Sequence, residues 1–500
     1  MIELRVLSYS HDEERIGFTD PPRATPRPIN IGERAGMAML ATGAFAFVIC
    51  GMAGVRRGSW PALIASFGLI TIGGCVYYWR RWAGSTPGIK HDGNTFNNVQ
   101  TRGLWAWGLA IVITLFYIAY YWYHELKAIG MPPVLDGTIR LVDPLSLALR
   151  GKPADQWFMY SFLYTLAVLI FGVRMVMKYR HNRYHLIRTA SVSFFQLGFA
   201  FLLPGILVAL HQPDHYFTYF WPLSPQPLWP GDGYGFGAGK FHALADKGVM
   251  GMFILGFSAF MFLLATPVLT YLFGKRWYCS WVCGCGGLAE TLGDPWRQLS
   301  DKSTTAWKIE RWMIHSVLVA IVLVTAFLWI DYAQSGAITG TWAMPLRKVY
   351  YFVIVQVFAG VIGVGFYPLM GSRVWCRFGC PMAAALGILQ RYFSRFRITT
   401  NGGQCMSCGN CSTYCEMGID VRGYAQRGEN IVRASCVGCG VCAAVCPRGV
   451  LKLENGASSE GRYEGVGGPL PQLVHDLRNP PVAQQAEGPA RIAQTREGTR

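Results

Sequence analysis

Eight of the fifteen cysteines in this 500-residue chain fall between residues 405 and 446, in two runs of matching pattern. The first run places Cys405, Cys408, Cys411 and Cys415 at x2, x2 and x3 spacing. The second repeats it with Cys436, Cys439, Cys442 and Cys446, followed by Pro447. Thiolates so spaced wrap three corners of an iron–sulfur cubane, and the fourth cysteine of each run ligates the other cluster. The expected sets are therefore Cys405, Cys408, Cys411 and Cys446 on one [4Fe-4S] cluster, and Cys436, Cys439, Cys442 and Cys415 on a second. Gly409, Gly438 and Gly440 leave room for backbone amides to approach the sulfurs. Structural zinc would use paired Cys-x2-Cys units instead. One position departs from the pattern: Glu416 stands after Cys415 where proline is usual.

Five more cysteines form two smaller groups. Lys275 and Arg276 precede two aromatic residues, Cys279, Cys283 and Cys285; Arg373 precedes Trp375, Cys376, Cys380 and Pro381. Each group combines a basic residue, an aromatic, Cys-x3-Cys and a helix-like run, at 288–292 and 382–393. Thiols at i and i+4 on one helix share a face. Cys279, Cys283, Cys376 and Cys380 are therefore expected to converge on an additional redox or metal site, with Cys285 as a fifth ligand or a replacement for Cys283. Copper, zinc or another iron–sulfur cluster would suit such thiolates, and a disulfide cycle is a further option. Packing is the plain alternative, and it is the expected role of Cys50 and Cys75.

The elements that must carry these residues are membrane helices. The chain is 52% hydrophobic and only 15% charged, against about a quarter charged in soluble domains, which argues against a soluble enzyme. Eight apolar segments, 35–55, 60–79, 104–123, 157–177, 192–210, 249–273, 312–330 and 349–370, are each long enough to cross about 30 Å of hydrocarbon. Within them only Arg174 is charged, near enough to a span end to snorkel to the headgroups. Loops on one side hold 19 Lys and Arg against 10 on the other, so that side, with both termini and the eight-cysteine segment, is expected to be cytoplasmic. That placement also disfavours disulfides. The net charge of +17 belongs to the same loop pattern, and no nucleic-acid partner is expected.

The expected fold is thus an α-helical polytopic membrane protein with a C-terminal bacterial-type 2[4Fe-4S] ferredoxin-like domain. Its divisions are an N-terminal cytoplasmic segment (1–34), a six-span region (35–273), a cytoplasmic Cys-x3-Cys loop (274–311), two more spans (312–370), a second Cys-x3-Cys-Pro segment (371–400), the ferredoxin-like domain (401–457) and a flexible tail (458–500). No secretory signal is expected in the charged, Pro-rich residues 1–34. The aromatic loop 211–239 is expected at the membrane interface, or as a docking surface for a partner outside the cytoplasm.

Residues 274–455, with two spans each followed by Cys-x3-Cys and then paired ferredoxin motifs, resemble the membrane-bound polyferredoxins of the NapH/NosR/CcoG type. Cys376, Cys380 and Pro381 match the second membrane motif as it stands. The first departs, with Gly284 in place of proline and Cys285 added. The resemblance implies electron delivery to respiratory reduction, or copper handling for oxidase assembly. The leading expectation is a membrane iron–sulfur relay between a cytoplasmic-side donor or the quinone pool and a respiratory partner, an electron-transfer subunit more than a stand-alone enzyme. Copper handling and redox sensing are the alternatives. Lipid, respiratory or assembly subunits and quinone are the partners considered.

Clusters at one face cannot alone carry electrons across the hydrocarbon. Haem, flavin and quinone therefore stay open, with His211, His215, His242 and His315 near span ends as contacts or plain interfacial residues. Ser335 to Thr339 looks like a covalent-flavin sequence with Ile338 at the acceptor position; a simple turn explains it equally.

Overall fold

A computed structural model of the chain describes residues 29–53, 58–83, 103–130, 134–232, 237–274, 276–335, 342–401 and 404–455. The calls on the N-terminal segment before residue 29, the C-terminal tail and the flavin-like sequence after Ser335 lie outside the described residues. Eight helices have the length and apolar composition to cross a membrane. They are span 1 (Ile31–Met52), span 2 (Trp60–Ala83), span 3 (Leu104–Tyr121), span 4 (Gln156–Lys178), span 5 (Arg183–Ala209), span 6 (Gly248–Phe273), span 7 (Thr304–Ala333) and span 8 (Pro345–Gly365).

Local chemistry starts these helices. Asn30 and Glu33 form a capping box on span 1, and the side chains of Asp155, Asn182 and Ser303 cap spans 4, 5 and 7. Spans 1 and 2 meet through glycine: a Cβ on Gly36 would lie 2.8 Å from the Tyr77 amide, and one on Gly73 2.6 Å from the Leu40 amide. Without a hydrophobic drive between helices in lipid, such close backbone contact is what holds them.

Spans 5 and 7 begin earlier than their apolar runs, at Arg183 and Thr304 rather than 192 and 312. The added polar turns stand outside the apolar core and meet the C-terminal domain. That domain is short-helical and closed by two antiparallel strands, β1 (Phe396–Thr400) and β2 (Leu451–Asn455), with Phe396 opposite Asn455 and Thr400 opposite Leu451. The strands tie the start and end of the eight-cysteine segment together.

On the opposite face, the loop between spans 5 and 6 differs from expectation. Phe220 and Trp229 are 1% and 0% exposed, and the indole N–H groups of Trp221 and Trp229 both donate to Thr325 Oγ1 of span 7. The loop folds back among the helices, because an indole N–H can be buried when a hydroxyl accepts from it.

Candidate functional site

The eight cysteines of the C-terminal domain fall into two neighbourhoods. Cys405, Cys408, Cys411 and Cys446 line one small pocket. The thiols acting on Cys442 are Cys439, Cys436 and Cys415, with Cys411 weakest. The two neighbourhoods adjoin, Cys411 of the first lying near Cys442 of the second. The backbone makes this possible at Gly409, Gly438 and Gly440, all left-handed, with Ser407 occupying the position equivalent to Gly438 in the same conformation. The second run is the docked one. Tyr184 Oη donates to Gly438 O at 2.8 Å, Arg188 Nη1 to Cys439 O at 2.8 Å, and Arg276 Nε to Ala434 O at 2.9 Å. Cys408, in the first run, is exposed.

The membrane-edge cysteines are built by a repeat. Span 6 ends on a glycine of positive φ, Gly274 (55°), and the short helix Tyr367–Met370 that follows span 8 ends on another, Gly371 (91°); Arg276 and Arg373 stand two residues after them. Short helices follow, Trp277–Trp281 carrying Cys279 and Val374–Phe378 carrying Cys376. Each then stops, so the expectation that both thiols of a pair share one helix face is corrected. Cys283 and Cys380 sit in extended backbone as N-caps of the next helices, Gly284–Glu290 and Pro381–Phe393. Before proline the helical conformation is disfavoured, which enforces the break at Cys380.

The two repeats are clasped across each other. Arg276 Nη1 donates to Cys376 O at 3.0 Å, and Arg373 Nη1 donates to Cys279 O at 3.2 Å. Equivalent arginines thus hold the equivalent cysteine of the other repeat. Cys279, Cys283, Cys376 and Cys380 are 3–4% exposed and belong to one buried core, which continues to Cys411, Cys436 and Cys442. Cys285 stands apart from the repeat: it is half-buried, and its thiol donates toward Cys283, lowering the Cys283 pKa. Gly284 explains the missing proline. A Cβ there would lie 2.5 Å from Tyr219 Oη and 2.8 Å from Gln196 Oε1.

Sequence reasoning missed the charged cluster between thiols and ferredoxin segment. Glu290 pairs with Arg188, with Arg297 at 2.9 Å and with Arg373 at 3.3 Å. Glu416 pairs with Arg297 at 2.9 Å and Arg373 at 3.2 Å; Asp294 pairs with Arg174, Lys178 and Arg297. All are buried. Arg174 is 2% exposed and does not snorkel to headgroups: Asp294 sits on the protein side and supplies its counter-charge. Burial would raise the Asp294 carboxyl, but Lys178, Arg174 and Arg297 outweigh it and hold its pKa well below the usual range.

Five cations here face three carboxylates, all of them buried. Such a surplus needs further negative charge nearby. Sulfur is what adjoins it: Arg297 Nη1 is 3.9 Å from Cys439 Sγ, and Arg373 Nη1 is 3.9 Å from Cys376 Sγ. Thiolate-bound, anionic clusters therefore fit both sites. Among the described residues no three His, Cys, Asp or Glu side chains converge tightly enough for a single metal ion, the ferredoxin thiols included.

Of the histidines, His211, His215 and His242 lie in the loop between spans 5 and 6, and His315 lies in span 7. His242 Nδ1 accepts from the Gly231 amide at 3.0 Å, and His215 is buried against Phe217. Cys50 and Cys75 pack in apolar clusters beside spans 1 and 2.

Comparison with known proteins agrees with this division. A family described as a 4Fe-4S binding domain matches twice, at 255–302 and 353–400, and a 4Fe-4S dicluster domain matches 404–451. The putative electron transport protein YccM of Escherichia coli (strain K12) is 27% identical over 184 residues, 33% of this chain and 48% of that protein. The regulatory protein NosR of Stutzerimonas stutzeri is 24% identical over 188 residues, 35% of this chain and 25% of its own length. The methylamine utilization ferredoxin-type protein MauN of Paracoccus denitrificans (strain Pd 1222) is 27% identical over 209 residues, 37% of this chain and 68% of that protein. The chain thus spans half or less of the first two relatives. No solved structure matches it significantly. The chain is a multi-pass helical membrane protein with ferredoxin-type 4Fe-4S domains, similar over its C-terminal part to membrane polyferredoxin-type electron-transport proteins.

Proposed function

We propose that this protein relays electrons through the membrane face from its ferredoxin domain to a third iron–sulfur site, held jointly by Cys279, Cys283, Cys376 and Cys380. The reciprocal arginine clasp carries this reading, because it makes two half-sites into one. Each stretch that matches a 4Fe-4S binding domain lacks four cysteines: the first has three and the second two. Only together do they complete a four-thiolate set. The ferredoxin ligands are the crossed sets, with Cys436, Cys439, Cys442 and Cys415 nearer the membrane. Bound clusters supply single-electron storage. The chain's own residues fix their spacing through Arg276, Arg373 and Glu416, exclude water, and balance the charge.

The excess of basic loop residues supports a cytoplasmic ferredoxin face in a bacterial-type inner membrane. A cytoplasmic-side donor or the quinone pool would exchange electrons with a respiratory or assembly partner. The relay is tested by reducing anaerobically purified protein and recording paramagnetic resonance. Cys411→Ser is expected to remove one ferredoxin signal and Cys415→Ser the other. Identical spectra in both variants would reject the crossed sets. Reporter fusions after residues 190 and 305 are expected to report cytoplasm, and those after 140 and 230 the other side; the reverse pattern would overturn the orientation.

A further inference from the structure

The two halves of the ferredoxin domain meet their surroundings differently. The second run is tied to the membrane region through Tyr184, Arg188 and Arg276. Among the described residues, no hydrogen bond or ion pair ties residues 404–411 to a membrane helix; Ser407 instead accepts from Gln426 within the domain, at 2.7 Å. Cys408 is the exposed cysteine of the chain, and Met406 beside it is 57% exposed. Pro447, next to the fourth cysteine of the same group, is exposed as well. The group of Cys405, Cys408, Cys411 and Cys446 is therefore the one whose edge meets solvent.

The charged residues lining that edge are both arginines, Arg422 and Arg448, and both are exposed. A Cβ on Gly409 would lie 3.8 Å from Arg422 Nη1, so this guanidinium rests beside the backbone that follows Cys408. Neither arginine makes an ion pair among the described residues. The domain's other exposed or half-buried carboxylates are committed elsewhere. Asp420 accepts from Ser412 Oγ at 2.8 Å and from the Gly423 amide, Glu429 pairs with Arg427 at 3.0 Å, and Glu454 accepts from Thr399 Oγ1 at 2.8 Å. An anionic cluster behind this edge would by itself repel an acidic protein. The two free guanidinium groups at its rim, on a chain of net charge +17, turn that repulsion into attraction. An apolar centre with a charged rim is the anatomy of a protein interface, where Met and Arg are enriched. Met406 supplies a soft, adaptable contact at its middle.

We propose that this edge is the docking surface for a small, acidic, soluble one-electron carrier protein, whose carboxylates meet Arg422 and Arg448 while its redox centre faces Cys408 across Met406. The proposal deepens the relay reading by naming the partner's chemistry, and rests on that reading only for where the electron goes next. The step is a single electron transfer. The carrier is oxidised as the cluster is reduced, or the reverse, and no bond forms or breaks. Opposite charges of this kind set encounter rate and orientation more than final affinity, so the complex is short-lived and sensitive to salt.

Docking is measured first with no electron moving. A fluorescently labelled, oxidised plant-type [2Fe–2S] ferredoxin serves as the acidic probe and is titrated with the oxidised, cluster-containing protein in detergent at low salt, its anisotropy read. The double variant Arg422→Gln with Arg448→Gln is expected to bind roughly tenfold more weakly, with iron content kept because both side chains are exposed. The parent is expected to lose most of that advantage at about 0.5 M salt. Rapid mixing with the reduced probe then reads the second-order rate of cluster reduction. That rate is expected to fall about tenfold in the double variant, while photoreduction by a neutral deazaflavin stays equal. Binding that ignores salt, or that is equal in parent and double variant, overturns the docking surface. Equal binding of a basic cytochrome c overturns it too. Binding present in detergent and lost in nanodiscs of anionic lipid would give the arginines to the membrane surface and likewise overturn it. If the probe binds and reduces the ferredoxin clusters but no electron reaches the site of Cys279 and Cys376, the relay reading fails and the docking surface stands.

Discussion

The two membrane-edge repeats have one plan and unequal surroundings. Both follow a helix that ends on a glycine of positive φ, both place an arginine two residues later, and both set one cysteine in a short helix and one at the next helix start. Their arginines make the same reciprocal bond to the other repeat. Beyond that bond they diverge. Arg373 also pairs with Glu290 and Glu416, whereas Arg276 reaches a second carbonyl, Ala434 O. Pro381 occupies the position where the first repeat has Gly284, which must make room for Tyr219 and Gln196. The shared features are those a four-thiol site requires. The differences show which repeat faces the charged cluster and which faces Tyr219 and Gln196.

This asymmetry sets the size of the expected effects. Arg373→Met would leave Glu290 and Glu416 short of a buried partner and cost about 3–5 kcal/mol. Arg276→Met, losing only hydrogen bonds to carbonyls, would cost about 1–3 kcal/mol. Denaturant unfolding in detergent measures both, and equal losses would erase the distinction.

Asp294 adds a pH dependence from the same cluster. Its folded-state pKa is depressed, so its stabilising contribution is present above the unfolded carboxylate value of about 3.9 and is lost as pH falls through the lower folded value. Asp294→Asn is therefore expected to be destabilised relative to the parent at pH 7, the gap narrowing only in acid below about pH 4. A gap constant from pH 7 to 3 would show that Asp294 is not held by charge.

The next contrast is between the helix starts. Gly284→Ala should cost about 1–3 kcal/mol by crowding Tyr219 and Gln196. Pro381→Ala should cost about 0.4–1 kcal/mol, chiefly through a freer unfolded chain. The smallest effect belongs to Cys285→Ser, which lies outside the repeat; iron and sulfide content should be unchanged, as counted on the purified protein. Loss of a cluster in that variant would make Cys285 a ligand.

What the sequence made legible was local. Eight spans stand out because apolar length is read residue by residue, and the ferredoxin groups because ligand spacing within a run is short. What it hid depends on distant partners. Hydropathy cannot tell lipid from protein interior, so Arg174 looked like a snorkelling residue until Asp294, 120 positions away, was found against it. Glu416 looked like a defect in the motif, and it is a buried anchor between Arg297 and Arg373. The repeated cysteines could be matched on the page, but the i,i+4 reading assumed an unbroken helix. The clasp that unites them depends on Arg276 reaching 100 residues along the chain. The tyrosine-lined cavity among spans 3, 4, 5 and 8 left no sequence signal, since its tyrosines come from three spans and a loop.

The most direct measurement of the shared thiol site is iron and acid-labile sulfide per chain in anaerobically purified protein. Three cubanes correspond to about twelve of each. Cys279→Ser and Cys376→Ser, one from each repeat, are expected to fall alike to about eight of each while both ferredoxin signals remain. Values of about eight in the parent, unchanged in both variants, would contradict the account and return these cysteines to packing.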